Sequence, residues 1–429
     1  MRASRAVLLC TDAGSGHPVD DARLAALATL LRRRARTPLA AVVADVERAR
    51  AAHPDLQCIA DGELAAALAG CELVCISTVF ASDRRRLERA ARLAAAARLA
   101  GVPVAVIAAD IALESSAGPA EWREILCSSE SLSACDAASA AQLAAWRGRR
   151  VETVAPPELV LEPHSPADAP RRGRIAIEAD LADALDPRAF EALRVALRAF
   201  APRDVVVLGD SRRAALLAEP SRLETAPCAW PAWRRALASC EIVLTRDAVG
   251  TAAAALACGA VPVVASVQVP VLARLALESC AVADGRDAAA WARALAAAAR
   301  AQHGVATRVA PLRALAWRAL GPLADALRAV PPAIPAAANA GRNVWAAACA
   351  ALAAPALAAG DGPAAERILD AWGAALGDEP AWVEARARAD ALLGRDDDAA
   401  ARLQRAADAA PEDARVQMAL ARALVRRGD

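Results

Sequence analysis

The sequence contains no lysine and no tyrosine, so all 51 basic side chains are arginine. Each absence excludes chemistry. A phosphate-loop nucleotidase needs the lysine of its glycine-rich loop. A protein kinase needs a strand lysine on the phosphates, and a pyridoxal-phosphate enzyme needs a Schiff-base lysine. Any mechanism with a tyrosine acid or a lysine nucleophile falls with them. Asparagine, phenylalanine and isoleucine are also scarce while alanine, arginine and proline abound, the bias of a GC-rich genome. The 51 arginines meet 50 acidic residues, leaving a net charge of +1. That balance gives no electrostatic reason to expect nucleic acid, and no arginine stripe with interleaved aromatics exists to stack bases. Eleven cysteines include no CxxC pair, and with only His17, His53, His164 and His303 no zinc site can be drawn. No metal and no cofactor are expected. Most of the cysteines lie in apolar runs such as "ALACGAVPVV", as small core residues of a reducing cytoplasm.

What is present is length and alternation. The 429 residues are room for two or three domains. The 57% hydrophobic fraction is largely alanine, which buries little area per residue. Arg2 and Arg5 precede only "AVLLC", too short for a secretory core. The 26 uncharged residues from Ala248 to Ala273 are interrupted by Gly250, Gly259, Pro262 and Pro270 and read as a short helix plus a buried strand, not a membrane span. A soluble cytoplasmic protein is expected.

Apolar runs at 6–10, 39–44, 73–77 and 102–109 predict strands, and amphipathic segments at 20–34 and 84–101 predict helices. A helix near 137–146 and a strand near 151–154 complete a first unit, residues 1–165. The pattern restarts with strands at 174–179 and 204–210, "EIVLT" and "VPVVAS", and a helix at 287–301, giving a second unit at 172–305. Continuously apolar strands between helices predict parallel sheets covered on both faces. Two Rossmann-like domains with a cleft between them, joined by a Pro-rich hinge at about 155–172, follow.

Residues 306–335 read as a helix and a Pro-rich linker, and residues 336–429 as all-α. Gly360, Gly394 and Gly428 recur at 34 residues, with Ala365 and Ala399, and Leu369 and Leu403, at the same offset. This period resembles the tetratricopeptide repeat. Pro380 and Pro411 are each expected to open the second helix of a pair.

The first loop, "GSGHPVDDARLAAL" (14–27), carries Gly14 and Gly16 between a strand and a helix, where backbone N–H groups suit an anion. Asp20 or Asp21 suits the helix cap. His17, on an exposed loop, and Asp20 are the expected acid–base residues. Gly250 and Thr251 open a second helix toward a phosphate, and Arg212, Arg213 and Arg246 at strand ends are the expected anion contacts.

The same segments resemble the polysaccharide pyruvyl transferase family over most of residues 5–300. Gly16, Asp20, Ala22 and Leu24 agree with its G-N-x-G-D-E-A-x-L pattern, with His17, Val19 and Asp21 in place of Asn, Gly and Glu. "SLSACDAASAAQLAAW" keeps Asp136 and Ser139 of a second motif, with Cys135 for Arg. "LTRDAVGTAAAALACGAVPVVAS" keeps Arg246, Gly250, Ala254, Gly259, Pro262 and Val263 of a third. The family's Gln and loop glycines are replaced by Ile76, Ser77, Thr78, Ala109, Asp110 and Ala112, and its His is missing around Asp247–Val249. The third segment is equally similar to the sugar-nucleotide helix of GT-B glycosyltransferases.

The resemblance implies a GT-B-like α/β fold with an α-helical C-terminal repeat segment. It implies a transferase acting on a cell-surface glycan or its precursor, with phosphoenolpyruvate or a nucleotide sugar as donor. The altered loops leave open a non-catalytic scaffold that holds a protein partner through residues 336–429.

Overall fold

The computed structural model describes residues 6–34, 38–69, 71–77, 84–111, 122, 125–126, 128–161, 170–217, 222–227, 229–266, 269–318, 342–377 and 379–427. The first sheet contains β1 (Ala6–Cys10), β2 (Leu39–Val42), β3 (Gln57–Ile59), β4 (Cys71–Ile76), β5 (Val104–Ala109), β6 (Ser131–Ala134) and β7 (Glu152–Thr153). Its order is β3-β2-β1-β4-β5-β6-β7, and every pairing is parallel. The second sheet contains β8 (Arg171–Glu178), β9 (Asp204–Leu208), β10 (Arg222–Ala226), β11 (Cys240–Thr245) and β12 (Val261–Val264). It is also all parallel, in the order β10-β9-β8-β11-β12. All residues of β5 and β12 are buried, as strands covered on both faces must be.

The helices of the first domain are α1 (Pro18–Arg34), α2 (Val46–Ala52), α3 (Leu64–Ala69), α4 (Arg84–Leu99) and α5 (Ala137–Arg147). The second adds α6 (Ala179–Ala184), α7 (Pro187–Phe200), α8 (Arg212–Leu217), α9 (Trp230–Ser239), α10 (Gly250–Ala257), α11 (Pro270–Arg274), α12 (Ala288–Ala301) and α13 (Val305–Trp317). On α7, Ala189, Ala192, Leu193, Ala196 and Leu197 repeat at helical spacing and are buried. Asp186 caps this helix by accepting the N–H groups of Arg188 and Ala189, and Pro187 occupies its first position. All eight residues of α10, "GTAAAALA", are buried, so its alanines serve close packing on every side. Among the described residues no helix is long and apolar enough to cross a membrane.

Two apolar cores flank the first sheet. One joins the α1 side of that sheet to the whole second domain. The first described part of the expected hinge belongs to this core: Pro157–Val160 is a fully buried turn packed against α1, α10 and α13, while residues 162–169 lie outside the described residues and Arg171 and Arg172 beyond them are exposed. Up to Leu161 the chain leaves the first domain as a packed seam.

The other core joins the opposite face of the first sheet, through α4, to the C-terminal helices α14 (Arg342–Ala358), α15 (Gly362–Leu376), α16 (Pro380–Leu392), α17 (Asp396–Ala409) and α18 (Ala414–Arg427). Helix α14 contributes Trp345, Ala346, Ala348, Cys349, Ala353 and Leu357 to it. The turns α14–α15 and α16–α17 are equivalent at an offset of 34 residues. Gly360 and Gly394 adopt φ of +74° and +72°, a left-handed conformation that glycine adopts without steric cost. Asp361 N–H donates to Ala356 O (2.9 Å), and Arg395 N–H to Asp390 O (2.8 Å). Gly428 and the "PPAIP" linker lie outside the described residues. The prolines are reassigned: Pro380 begins α16, the first helix of its hairpin, and Pro411 lies in the turn before α18. They mark the joints between hairpins, where a residue without an N–H loses nothing.

Candidate functional site

In each sheet the chain leaves a central strand toward both edges. The crevices at the carboxyl ends of β1/β4 and of β8/β11 are the switch points where open α/β sheets bind ligands. Here the two crevices face each other. His17, on the loop after β1, places Nε2 3.6 Å from Asp180 Oδ2 at the start of α6 in the other domain.

The loop is held by its own carboxylates. Gly14 N–H donates to Asp21 Oδ1 (3.3 Å), the Ser15 hydroxyl donates to Asp20, and His17 N–H donates to Ser15 Oγ (3.1 Å). Gly14 sits at φ +81°, and a Cβ there would lie 2.3 Å from Asp45 O, so only glycine lets this loop meet the cap of α2. Gly16, at φ +97°, faces Arg48, whose Nη1 is 3.0 Å from where a Cβ would stand. Helix α1 begins at Pro18, so Asp20 and Asp21 lie within its first turn rather than at its cap.

Asp20 is 1% exposed and bound to Arg86 Nη1 at 2.8 Å. Burial pushes its carboxyl up, Asp12 adding to this against Arg86 and Ser15. So enclosed, it positions the loop through Ser15 and Arg86. His17 is half-buried rather than fully exposed. Its Nδ1 accepts Val19 N–H (3.4 Å), which leaves the proton of the neutral ring on Nε2, toward Asp180. Burial lowers its pKa, but the carboxylates of Asp180, Glu178, Asp20 and Asp247 outweigh that and raise it. The His17 contact in turn holds the Asp180 carboxyl below its ordinary value, and Arg246 adds to this. His17 and Asp180 therefore meet, and the positive charge of exposed Arg246 is felt at Asp180.

Gly250 and Thr251 lie beside this group, but their N–H groups are engaged. Both donate to the Asp247 carboxylate, at 3.0 and 2.7 Å, together with Val249 N–H. A phosphate would reach them only if Asp247 moved. Thr251 and Thr245 also donate their hydroxyls to the buried Glu178. Burial and Asp247 push the Glu178 carboxyl up to about 7, against those hydroxyls and His17.

Two arginines fall elsewhere. Arg213 on α8 donates to Asp183 O (3.0 Å) and Leu185 O (2.8 Å) and stacks over Phe190, clamping α6 to α7. Arg212 is exposed at the start of α8.

The sequence reading passed over Glu178, Asp180, Arg86 and the bonding of Asp247. Glu178 had a signal, an acid closing the apolar run "RIAIE". Asp247 had one too, a carboxylate three residues before Gly250 at a helix start. Arg86 stands in an arginine triplet that distinguishes none of its members.

Beyond the pair, Asp110, Cys135 and Asp136 place ligand atoms within 4.8 Å of one another. Burial, then Asp136 and Asp247 against Arg23, pushes Asp110 up to about 7. Asp136 already caps α5 through the N–H groups of Ala138 and Ser139.

Replacing Asp247 with alanine should cost about 1–2 kcal/mol, the loss of a helix cap. The cost should be full near pH 5 and smaller near pH 8, where removing its charge relieves ionised Glu178. Urea unfolding at the two pH values measures this.

No family model matches the sequence, and no curated protein matches it. Solved structures do. The chain is similar to Anabaena HepE in complex with UDP and glucose, at 14% identity over 74% of this chain and 99% of that one, with a TM-score of 0.48. It is similar to S. aureus MnaA with UDP, at 11% identity over 68% and 87% of the two chains, TM-score 0.44. It is also similar to the spinosyn rhamnosyltransferase SpnG, at 14% identity over 76% and 96%, TM-score 0.44.

Proposed function

We propose that the chain is a group-transfer enzyme that moves a glycosyl group from a nucleotide sugar to a glycan hydroxyl in the cleft between its two domains. The observation that carries this reading is the meeting of the two switch points, with His17 and Asp180 3.6 Å apart across the domain boundary. A transfer reaction needs one group that takes the acceptor's proton and hands it on. His17 fills that role, and Asp180 orients its ring. Arg246 faces the charge that develops on the leaving phosphate.

The donor choice follows from charge. Phosphoenolpyruvate is a small, highly charged anion that needs several cations at once. Asp20, Glu178, Asp180 and Asp247 surround the junction, and the N–H groups of Gly250 and Thr251 are engaged by Asp247. A nucleotide sugar draws much of its affinity from uncharged rings and suits these walls better.

The same self-capping favours a second reading, a non-catalytic protein whose phosphate positions are filled by its own carboxylates. Calorimetry separates the two. UDP-glucose is expected to bind and phosphoenolpyruvate to bind weakly or not at all. His17→Gln should lower turnover by about 10²–10⁴-fold, the usual share of acid–base catalysis, with donor affinity kept. Binding of neither donor would leave the second reading in possession.

A further inference from the structure

We infer that the groove beside the glycine loop binds an anionic saccharide, one carrying carboxylate or phosphate groups. The groove lies at the domain junction in two adjoining parts of about 390 and 420 Å³ that share Ala52, Trp230 and Pro231. One wall is α2, the turn after it and the adjoining face of α1. The other is the start of α9.

Its charge differs from that of the central cleft. In the cleft, the helix start at Gly250 and Thr251 already has a carboxylate of the chain in place, that of Asp247. Helix α9 has neither a side-chain cap nor an acidic residue in its first turn, so its positive end is uncompensated within the chain. Arg234 and Arg235 line the groove one turn further along. The Arg234 guanidinium stacks 5.8 Å from the Trp230 ring centroid, and Arg235 Nε donates to Pro231 O (3.3 Å), which turns both toward the helix start. At the other end Arg48 stands against Gly16, where any side chain would press on its guanidinium, and its only ion pair is a long, exposed one to Asp45 (Nε to Oδ2 3.9 Å) among the described residues.

Two carboxylates also line the groove, and both have partners. Asp55 is bound by Arg32, and Asp21 by His53 and Gly14 N–H. Positive charge at both ends of an elongated groove, with neutral alanine and proline between, fits a linear ligand with spaced anionic groups. A compact anion would meet one end only. The groove opens beside His17, so this names the acceptor of the proposed transferase and rests on that reading for the word acceptor. The binding itself requires no turnover.

Calorimetry on the full chain at low salt tests it, with short oligogalacturonates, phosphorylated malto-oligosaccharides and neutral malto-oligosaccharides of matched length. Either anionic series should bind, and the stronger one identifies the charged group. The neutral series should bind at least about tenfold more weakly, the equivalent of one charge-assisted contact. Arg234→Ser/Arg235→Ser and, separately, Arg48→Ser should each weaken anionic binding by about tenfold or more. Arg293→Ser on α12, outside the groove, should not. Thermal melts confirm that the variants are folded. Equal affinity for neutral and anionic sugars, binding of none of them, or full affinity in both groove variants would overturn the inference. If oligogalacturonate binds while His17→Gln shows no turnover defect, the groove stands and the transferase reading falls.

Discussion

Replacing Arg23 with methionine is expected to destabilise the protein by about 3–5 kcal/mol, the cost of leaving one member of a buried ion pair alone. Arg23 and Glu158 are both 0% exposed, and Arg23 Nε donates to Glu158 Oε1 at the junction of the two domains. Arg23 Nη1 also donates to Ser77 Oγ (3.0 Å) and Ala108 O (3.4 Å), so one side chain ties α1, the buried seam and the ends of two strands together. Burial pushes the Glu158 carboxyl up, and Arg23 is the main group opposing it. Without Arg23 the carboxyl rises further, so the variant should regain part of its loss as pH falls and Glu158 protonates. Arg23→Met/Glu158→Leu should recover most of the loss, because well-packed apolar pairs often match buried ion pairs. Among the described residues Arg23 Nη2 and Glu158 Oε2 have no partner, which weakens the pair relative to a fully bonded one. Urea unfolding of the three proteins decides it. A single variant within about 1 kcal/mol of the parent would show that water reaches the pair.

The second large effect is a loss of stability as pH rises from about 5 to about 8. Glu178 has an ordinary value of 4.5 and is pushed up to about 7 in the fold. A carboxyl raised on folding contributes no penalty below its unfolded value, where it is protonated in both states. The penalty grows as pH rises toward the folded value, where the unfolded chain ionises freely and the native one does not. The difference corresponds to about 3 kcal/mol. Asp110, also pushed up to about 7, and Asp20 act in the same direction. So does His17, whose raised value stabilises the fold below 6.5 and loses that contribution as pH climbs through its folded value. Asp180, held low by His17, acts oppositely and only in acid. Glu178→Gln keeps the shape and a hydroxyl acceptor, and should flatten the drop by most of that amount. A drop of undiminished size in this variant would assign the pH dependence elsewhere.

The scaffold was legible because it is written in apolar runs. "AVLLC", "VAVIAA", "CEIVLT" and "VPVV" are buried strands with flanking helices, and continuous apolarity marks a strand covered on both faces. Elements with weak contrast were not legible. Gln57–Ile59 is three residues long, and Arg222–Ala226 alternates exposed and half-buried positions at an edge of the second sheet. The helix Val46–Ala52 hides among alanines and arginines, and its existence depends on the Asp45 cap.

The candidate site divides the same way. His17 could be read because histidine is rare in this chain. Its partner Asp180 comes from the other domain and more than 160 residues away, and no local pattern announces that. The expected phosphate positions, Gly250 and Thr251, were placed correctly on a helix start. What the motif could not tell is that Asp247 already fills it.

The seam between α4 and α14 has a consequence for the molecule's architecture. The boundary between the α/β portion and the helical hairpins is a change of secondary-structure class and not a break in the core. Deleting residues 342–429 would strip the cover from the face of α4 that packs on α14, leaving a wet apolar wall on the first domain. The hairpins alone would carry the matching wound on α14. A nick in the chain between the two would leave a noncovalent complex of two fragments, held as the halves of one domain are held. The hairpins thus add an outer layer to the first domain, giving four in order: α1, the sheet, α4, and α14 with its stack.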